Sequence, residues 1–228
     1  MNKAIIAIIA AVILVGGGVV AFAFSSAQPA PQDETTQEDI LTRLTKPTIP
    51  AANALGSPNA NITIVEFGDY LCTYCHRFHE DTKEQLLAGY VQTGKVQFLF
   101  KDFPINDHLG GGSTLGARAS YCAADQGKFW EFHDGMYANW GGEKAGWITN
   151  ENMQAYAKNA GVPDAGQFKS CLDSNKYADV VRENNRLARD IGLDATPSFI
   201  IIPQDGEPRL IRGAYPYSAF QQVLDESA

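Results

Sequence analysis

The sequence predicts an α/β fold in which a βαβ unit and a later β-hairpin are separated by an all-helical insertion. Apolar, β-branched runs at 61–67 and 96–100 are typical of buried strands, and a helix-forming segment lies between them. Strand-like sequence returns only at 197–202 and 209–212. A hydrophobic N-terminal segment precedes these elements and is expected to anchor the chain.

The N-terminal segment, residues 4–24, carries no charge and is long enough to span a bilayer. Lys3 precedes it, which predicts that the rest of the chain lies on the extracytoplasmic face of the cell envelope. The alternative is a cleaved signal peptide with its apolar core at 5–15, interrupted by the glycines at 16–18, and cleavage near Ala27.

Residues 25–58 are predicted to be a linker. The first part is rich in Ala, Pro, Gln, Thr and acidic residues, with little to bury, which favours a flexible tether. Residues 45–58 contain three prolines and are expected to lie extended against the domain edge. The net charge of the chain is −8, so no nucleic-acid partner is expected, because phosphate binding needs a basic surface.

The folded part is predicted to have three consecutive regions, at 59–108, 109–190 and 191–228. In the first, a helix at 76–89 connects two strands that should be parallel neighbours. The insertion should contain helices at 114–125, 129–139, 151–159 after the N-cap Thr149, 165–172 after the N-cap Asp164, and 176–191. The last region should contain a hairpin and a closing helix at 217–226.

The pattern Cys72-x-x-Cys75 lies where the first strand turns into its helix. Unpaired backbone N–H groups and the positive end of the helix dipole favour a thiolate at Cys72, which should therefore be the nucleophile. Cys75 follows one turn later, is expected to be more buried, and can close a disulfide with Cys72. The pair is thus predicted to cycle between dithiol and disulfide.

A c-type haem protein is an alternative, because Cys72, Cys75 and His76 also spell the haem attachment motif. The preceding strand gives no support to haem binding, and we favour the redox interpretation, for which no cofactor is needed. A binding or chaperone module in which the cysteine pair is incidental is a third possibility.

A zinc site is a further alternative, but no second ligand pair is apparent. Cys122 and Cys171 stand singly, and His79, His108 and His133 have no ligand spacing with each other. The histidines are expected to be solvated or part of the core. No metal is therefore predicted.

The order of elements and three motifs resemble the DsbA family of exported disulfide oxidoreductases, which have a thioredoxin fold with an inserted helical subdomain. The resemblance covers about residues 59–225. Its motifs are FGDYLCTYC at 67–75, QGKFWEFH at 126–133 and IGLDATPSF at 191–199.

This resemblance implies a cis peptide bond between Thr196 and Pro197, beside the cysteine pair. Thr196, Thr73 and Tyr74 are expected to contact client proteins with free thiols, and a membrane redox partner is expected to recycle the enzyme. Family members often carry proline where this chain has Thr73. Because the residues between the cysteines help to set the redox potential, the opposite direction, a reductase or isomerase, stays open.

Glu66 lies in the middle of an apolar strand, six residues before Cys72. In the family an acid here is buried beneath the second cysteine and exchanges protons with it. A buried carboxyl should have a raised pKa and could act as acid or base. Lys101 is the expected charge partner. The alternative is a solvated residue on an edge strand.

Cys122 and Cys171 lie on predicted helices of the insertion. In an oxidising compartment, two lone cysteines of one subdomain most often pair, which predicts a structural disulfide. Two buried free thiols are the alternative.

Overall fold

A five-stranded sheet is the centre of the computed structural model, which describes residues 37–49 and 52–227. The strand order is β1-β3-β2-β4-β5. β2 pairs with β3 in parallel, and the other three pairings are antiparallel. The strands are β1 Ala54–Leu55, β2 Ile62–Gly68, β3 Val96–Asp102, β4 Ser198–Pro203 and β5 Arg209–Arg212. The predicted βαβ unit and hairpin are confirmed.

One continuous helical segment, residues 73–91, connects β2 to β3 and is called the redox helix below. It consists of α2 Thr73–Phe78, a π-helical stretch His79–Lys83, α3 Glu84–Leu86 and a second π-helical stretch Leu87–Val91. The segment therefore starts directly after Cys72 and runs slightly beyond the predicted end of the helix.

The insertion is helical, as predicted. Thr149 accepts a hydrogen bond from Asn152 N at 3.1 Å, and Asp164 accepts one from Gln167 N at 2.9 Å, so both predicted N-caps are confirmed. A short 3₁₀ helix at Ile105–Leu109 leads into the insertion, and α9 Tyr217–Asp225 closes the chain after β5. The helices of the insertion are α4 Gly112–Ala124, α5 Phe129–Ala138, α6 Asn150–Asn159, α7 Ala165–Asp173 and α8 Ala178–Asp190.

The described part of the predicted linker is not a flexible tether. Helix α1 spans Gln37–Thr45, and β1 pairs with β3. Ile40 and Leu44 are four residues apart and therefore lie on one helix face, from which both pack against the sheet core. This apolar pair gives the segment more to bury than its composition suggests.

The predicted membrane anchor at 4–24 lies outside the described residues. Within 37–49 and 52–227, the helices are all too short or too polar to cross a bilayer.

The two faces of the sheet pack against different layers. Ile62 and Ile64 of β2 face the redox helix and α9, whereas Val65 and Phe67 face α1 and α8. Side chains alternate along a strand, so Glu66 lies on the same face as Ile64, under the redox helix. A third apolar cluster, in the insertion, includes Cys72 and Cys75. The cysteine pair is therefore located where the sheet layer meets the insertion.

Cys122 on α4 and Cys171 on α7 are joined by a disulfide. The two residues are 1% and 7% exposed, respectively, so the bond lies inside the insertion, away from solvent-borne reductants. The two cysteines are 49 residues apart in the sequence.

Replacing this disulfide in a Cys122→Ala/Cys171→Ala double variant should lower the free energy of unfolding by roughly 4 kcal/mol, because the cross-link restricts the unfolded chain. Guanidinium titration of both proteins measures the difference. In graded dithiothreitol with peptide mapping, this bond should also outlast the Cys72–Cys75 disulfide. A loss below about 1 kcal/mol, or simultaneous reduction of both bonds, would contradict the prediction.

Candidate active site

The turn that presents the cysteine pair is held by Asp69. Its carboxylate accepts hydrogen bonds from Leu71 N and Asn106 N, both at 2.8 Å. Tyr137 of the insertion donates its hydroxyl to the Asp69 carbonyl at 3.3 Å. The end of β2, the 3₁₀ helix and the insertion thus fix the entry into the redox helix.

Cys72 is the N-cap of the redox helix, one residue before its first helical residue, Thr73. Its sulfur accepts the N–H of Cys75 at 3.4 Å and donates to the Thr196 carbonyl at 3.2 Å. The Cys75 sulfur accepts the N–H of Asp69 at 3.4 Å. Cys72 is 4% exposed and Cys75 is fully buried, so Cys72 is the more accessible thiol.

The two thiols differ in acidity. Hydrogen bonding by Cys75 outweighs burial and, with a contribution from the Thr196 side chain, lowers the pKa of Cys72 to about 7. Burial raises the pKa of Cys75 well above its ordinary value, and the Cys72 sulfur and the charge of Glu66 raise it further. At neutral pH a substantial fraction of Cys72 is therefore thiolate, and Cys75 is protonated.

Glu66 is buried on β2, between β3 and β4, so the edge-strand alternative is wrong. Burial raises its pKa to about 8, the positive charge of Lys83 opposes that shift, and the charges of Cys72 and Asp134 add to it. The carboxyl is consequently protonated at neutral pH.

Lys101 does not face Glu66, so the expected charge pair is wrong. In the parallel register, Glu66 is opposite Phe100, and Lys101 is opposite Phe67. Neighbouring positions along a strand point to opposite faces, which places Lys101 on the other side of the sheet. There its ammonium donates to the Lys46 carbonyl at 3.0 Å and to Thr48 Oγ1 at 3.3 Å.

The cation on the Glu66 side is Lys83, from the π-helical stretch of the redox helix. Its side chain is only 4% exposed and forms an ion pair with Asp134 of α5. The ammonium also lies 5.0 Å from the centre of the Trp130 ring, within cation–π range. The redox helix and the insertion thus supply a charged pair that no sequence motif indicated.

His79 and His133 meet in the fold, although their sequence spacing suggested no common site. With Asp134 they form a group whose potential ligand atoms lie within 4.8 Å of one another. Burial lowers the pKa of His79 to about 3 and that of His133 well below its ordinary value, so both rings are neutral. The Asp134 carboxylate is already neutralised by the Lys83 ammonium, which argues against a second cation there.

The loop that faces the pair contains a cis peptide bond between Thr196 and Pro197, as expected. The Gly213 N–H donates to the Pro197 carbonyl at 2.7 Å and fixes the loop to the sheet. Tyr74 is 55% exposed beside the cysteines. The Thr73 hydroxyl is occupied, since it donates to Glu143 at 2.8 Å.

The comparisons with known proteins agree with this geometry. A family model described as thioredoxin matches residues 48–226. The probable disulfide bond formation protein D of Bacillus anthracis is 32% identical over 152 residues, 65% of this chain and 68% of that protein. Disulfide bond formation protein D of Bacillus subtilis (strain 168) is 26% identical over 183 residues, 79% of either chain.

Among solved structures, oxidised BdbD from Bacillus subtilis aligns with a TM-score of 0.70 and 25% identity, covering 80% of this chain and 95% of that one. Wolbachia pipientis α-DsbA1 aligns with a TM-score of 0.65 and 22% identity over 78% and 92% of the two chains, and shares the fold.

A thioredoxin fold with a helical insertion and an asymmetric Cys72-x-x-Cys75 site defines a protein thiol–disulfide oxidoreductase. The chain belongs to the DsbA family of these enzymes. The relatives give no support to the c-type haem alternative. His76, which that motif requires, instead stacks on Trp140 with ring centres 4.7 Å apart.

Proposed function

We propose that the protein introduces disulfides into client proteins by transferring its Cys72–Cys75 disulfide to pairs of client thiols. The observation that carries this proposal is the hydrogen bonding of the Cys72 sulfur, which lowers its pKa to about 7. A stabilised Cys72 thiolate favours the reduced enzyme, and a disulfide whose reduced form is stable is a better oxidant.

The exchange proceeds in two displacements. A client thiolate attacks the Cys72 sulfur, the Cys72–Cys75 bond breaks, and Cys75 leaves as a thiolate that takes up a proton. A second client thiolate then attacks the client sulfur of the mixed disulfide and expels Cys72 as a thiolate. Two electrons pass from the client to the enzyme, and the client gains one disulfide.

Glu66 is the proton donor to Cys75 in this scheme. Its pKa of about 8 keeps it protonated at neutral pH, and its charge raises the pKa of Cys75, so the two groups are electrostatically coupled. A donor matched to the working pH is the most effective one. Once Cys75 is protonated, it cannot attack the mixed disulfide again before the second client thiol reacts.

The loop at Thr196 and Pro197 positions the client beside Cys72. An extended client segment can pair with the backbone there. Pro197 has no backbone N–H, so this position donates no hydrogen bond. Tyr74 offers an exposed aromatic surface next to the attacked sulfur, and Thr73 lies at the same edge, where Glu143 holds its N–H and hydroxyl.

A membrane redox partner re-oxidises the dithiol, and the enzyme works on the extracytoplasmic face, anchored by residues 4–24. The Cys122–Cys171 disulfide supports an oxidising compartment, because such bonds persist there and are rare in the cytosol. The uncharged N-terminal run supports the anchor.

The mature protein should therefore keep Lys3 and sediment with membranes, resisting extraction by alkaline carbonate. Intact mass and N-terminal sequencing of the fractionated protein measure this. A mature chain that starts near Gln28 would disprove the anchor and leave a soluble exported enzyme.

The direction of the reaction is tested by the equilibrium of the Cys72–Cys75 pair with glutathione. A potential near about −120 mV is expected for a strong oxidase, whereas a value near about −270 mV would make the enzyme a reductase. The oxidised protein should also convert a reduced client peptide to its disulfide form with one-to-one stoichiometry. A Cys72→Ala variant serves as the inactive control.

A further inference from the structure

The loop at residues 139–149, between α5 and α6, reaches the start of the redox helix through Glu143. One carboxylate oxygen of Glu143, Oε1, accepts both the backbone N–H of Thr73 at 3.0 Å and its hydroxyl at 2.8 Å. The two residues are 70 positions apart. Nothing in the local sequence of this glycine-rich loop indicated the contact.

The loop holds Glu143 in place by internal packing. Trp147 Nε1 donates to the Gly142 carbonyl at 3.0 Å, and a Cβ on Gly141 would come within 2.7 Å of the Trp147 ring. Trp140 stacks on His76, so the same loop contacts the redox helix at His76 as well as at Thr73. Glu143 is therefore presented to the helix by a defined loop.

Glu143 and the Cys72 sulfur share the positive end of the redox helix. The N–H of Thr73 goes to the carboxylate, and the N–H of Cys75 goes to the Cys72 sulfur. Bonds from Thr73 lower the pKa of Glu143, so it is ionised whenever Cys72 titrates. The other titratable groups facing this region are Cys75 and His76 on the redox helix, Glu66 on β2, Tyr137 on α5 and Lys144 in the loop.

We propose that Glu143 is a positioning residue that moderates the oxidising strength of the Cys72–Cys75 pair, a role that rests on the proposed function. Reduction of the disulfide adds two electrons and leaves a negative charge on Cys72. A carboxylate bound to Thr73, the residue next to Cys72, places a negative charge at the same helix end, which disfavours the thiolate and hence the reduced form. The same carboxylate has no such effect on the uncharged disulfide, so it makes the enzyme a milder oxidant.

The test uses Glu143→Gln in the full chain, because glutamine keeps an oxygen that can accept both Thr73 bonds while removing the charge. The pKa of Cys72 is read from the pH dependence of its alkylation by iodoacetamide, with peptide mapping. It should fall by about half a unit. At about pH 8, where Cys72 is mostly thiolate in both proteins, the equilibrium with glutathione should move about threefold toward the reduced enzyme, which corresponds to about 14 mV.

Glu151→Gln, an exposed glutamate in the first turn of α6, is the matched control and should leave both values unchanged. Glu143→Ala removes the same charge and must shift both values in the same direction. The proposal is overturned if Glu143→Gln leaves both values unchanged or raises the pKa, or if only Glu143→Ala shifts them. Both readouts are made without a client, so failure of client oxidation would count against the proposed function alone.

Discussion

Replacement of Cys72 by alanine is expected to reduce client oxidation to the uncatalysed rate, whereas Cys75→Ala should trap clients as mixed disulfides. Cys72 is the more exposed thiol and the one with the lowered pKa, so it forms the intermolecular bond. Without Cys75, no internal thiol can displace the client from Cys72. Each variant is incubated with a client that carries a disulfide, which the Cys72 thiolate attacks with release of one client thiol. Non-reducing gels should then show adducts for Cys75→Ala and almost none for Cys72→Ala.

The order of alkylation gives an independent measurement of the same asymmetry. At pH 6 a thiol with a pKa of about 7 has roughly 30-fold more thiolate than an ordinary thiol with a pKa of about 8.5. Iodoacetamide should therefore label Cys72 of the reduced protein first. Labelling of Cys75 first, or adducts that form mainly in Cys72→Ala, would mean that the nucleophile is wrongly assigned.

The redox pair could be predicted from sequence because its determinants are local. A strand, a short turn and a helix start are encoded within the residues around Cys72 and Cys75, and helix N-termini favour thiolates wherever they occur. The N-caps Thr149 and Asp164 are local in the same sense, since each bonds to a backbone N–H three residues ahead.

The charge partner of Glu66 could not be predicted because it depends on strand register. A difference of one residue decides which face of a sheet a side chain occupies, and Lys101 falls on the face opposite to Glu66. Lys83 reaches the correct side from a π-helical stretch, which ordinary helical periodicity does not describe. Its partner Asp134 comes from α5, 51 residues away.

Contacts between the insertion and the redox helix were missed for a related reason. Glu143 lies in a loop without periodic pattern, and its bonds to Thr73 exist only after both segments have folded. Helix α1 was missed for the same reason. It is stabilised by packing of Leu44 against the sheet core rather than by strong local signals. Such long-range contacts determine how the site is tuned, although the motif alone determines its chemistry.

Glu66→Gln should remove a large pH dependence of stability. The pKa of Glu66 is about 8 in the folded protein, against an ordinary value of 4.5. Between these values, the unfolded chain has released a proton that the folded protein still holds. The stability that this bound proton contributes is therefore fully present only below the ordinary pKa. It is lost as the pH rises through the window between the two pKa values. The full difference corresponds to about 5 kcal/mol.

The measurement is the free energy of unfolding of the oxidised protein from pH 5 to pH 9, because neither active-site cysteine then titrates. Oxidation removes the Cys72 charge and so lowers the pKa of Glu66 below its value in the dithiol form, but burial, the largest cause of the shift, remains. Asp102, whose pKa burial raises to about 6, and Lys101, whose pKa burial lowers to about 8, also contribute in this range. They are present in both proteins and cancel in the difference. The stability of wild type minus that of Glu66→Gln should decrease by several kcal/mol across the range.

Glu84→Gln, at an exposed position on the redox helix, should follow the wild-type curve and serves as the control. Parallel curves for wild type and Glu66→Gln would show that Glu66 is already ionised in the folded protein. A carboxylate without a proton cannot protonate the leaving Cys75, so the same result would remove Glu66 from the mechanism. A divergence of several kcal/mol would instead show that the fold maintains a protonated acid under the redox helix at neutral pH, at a cost in stability that rises with pH.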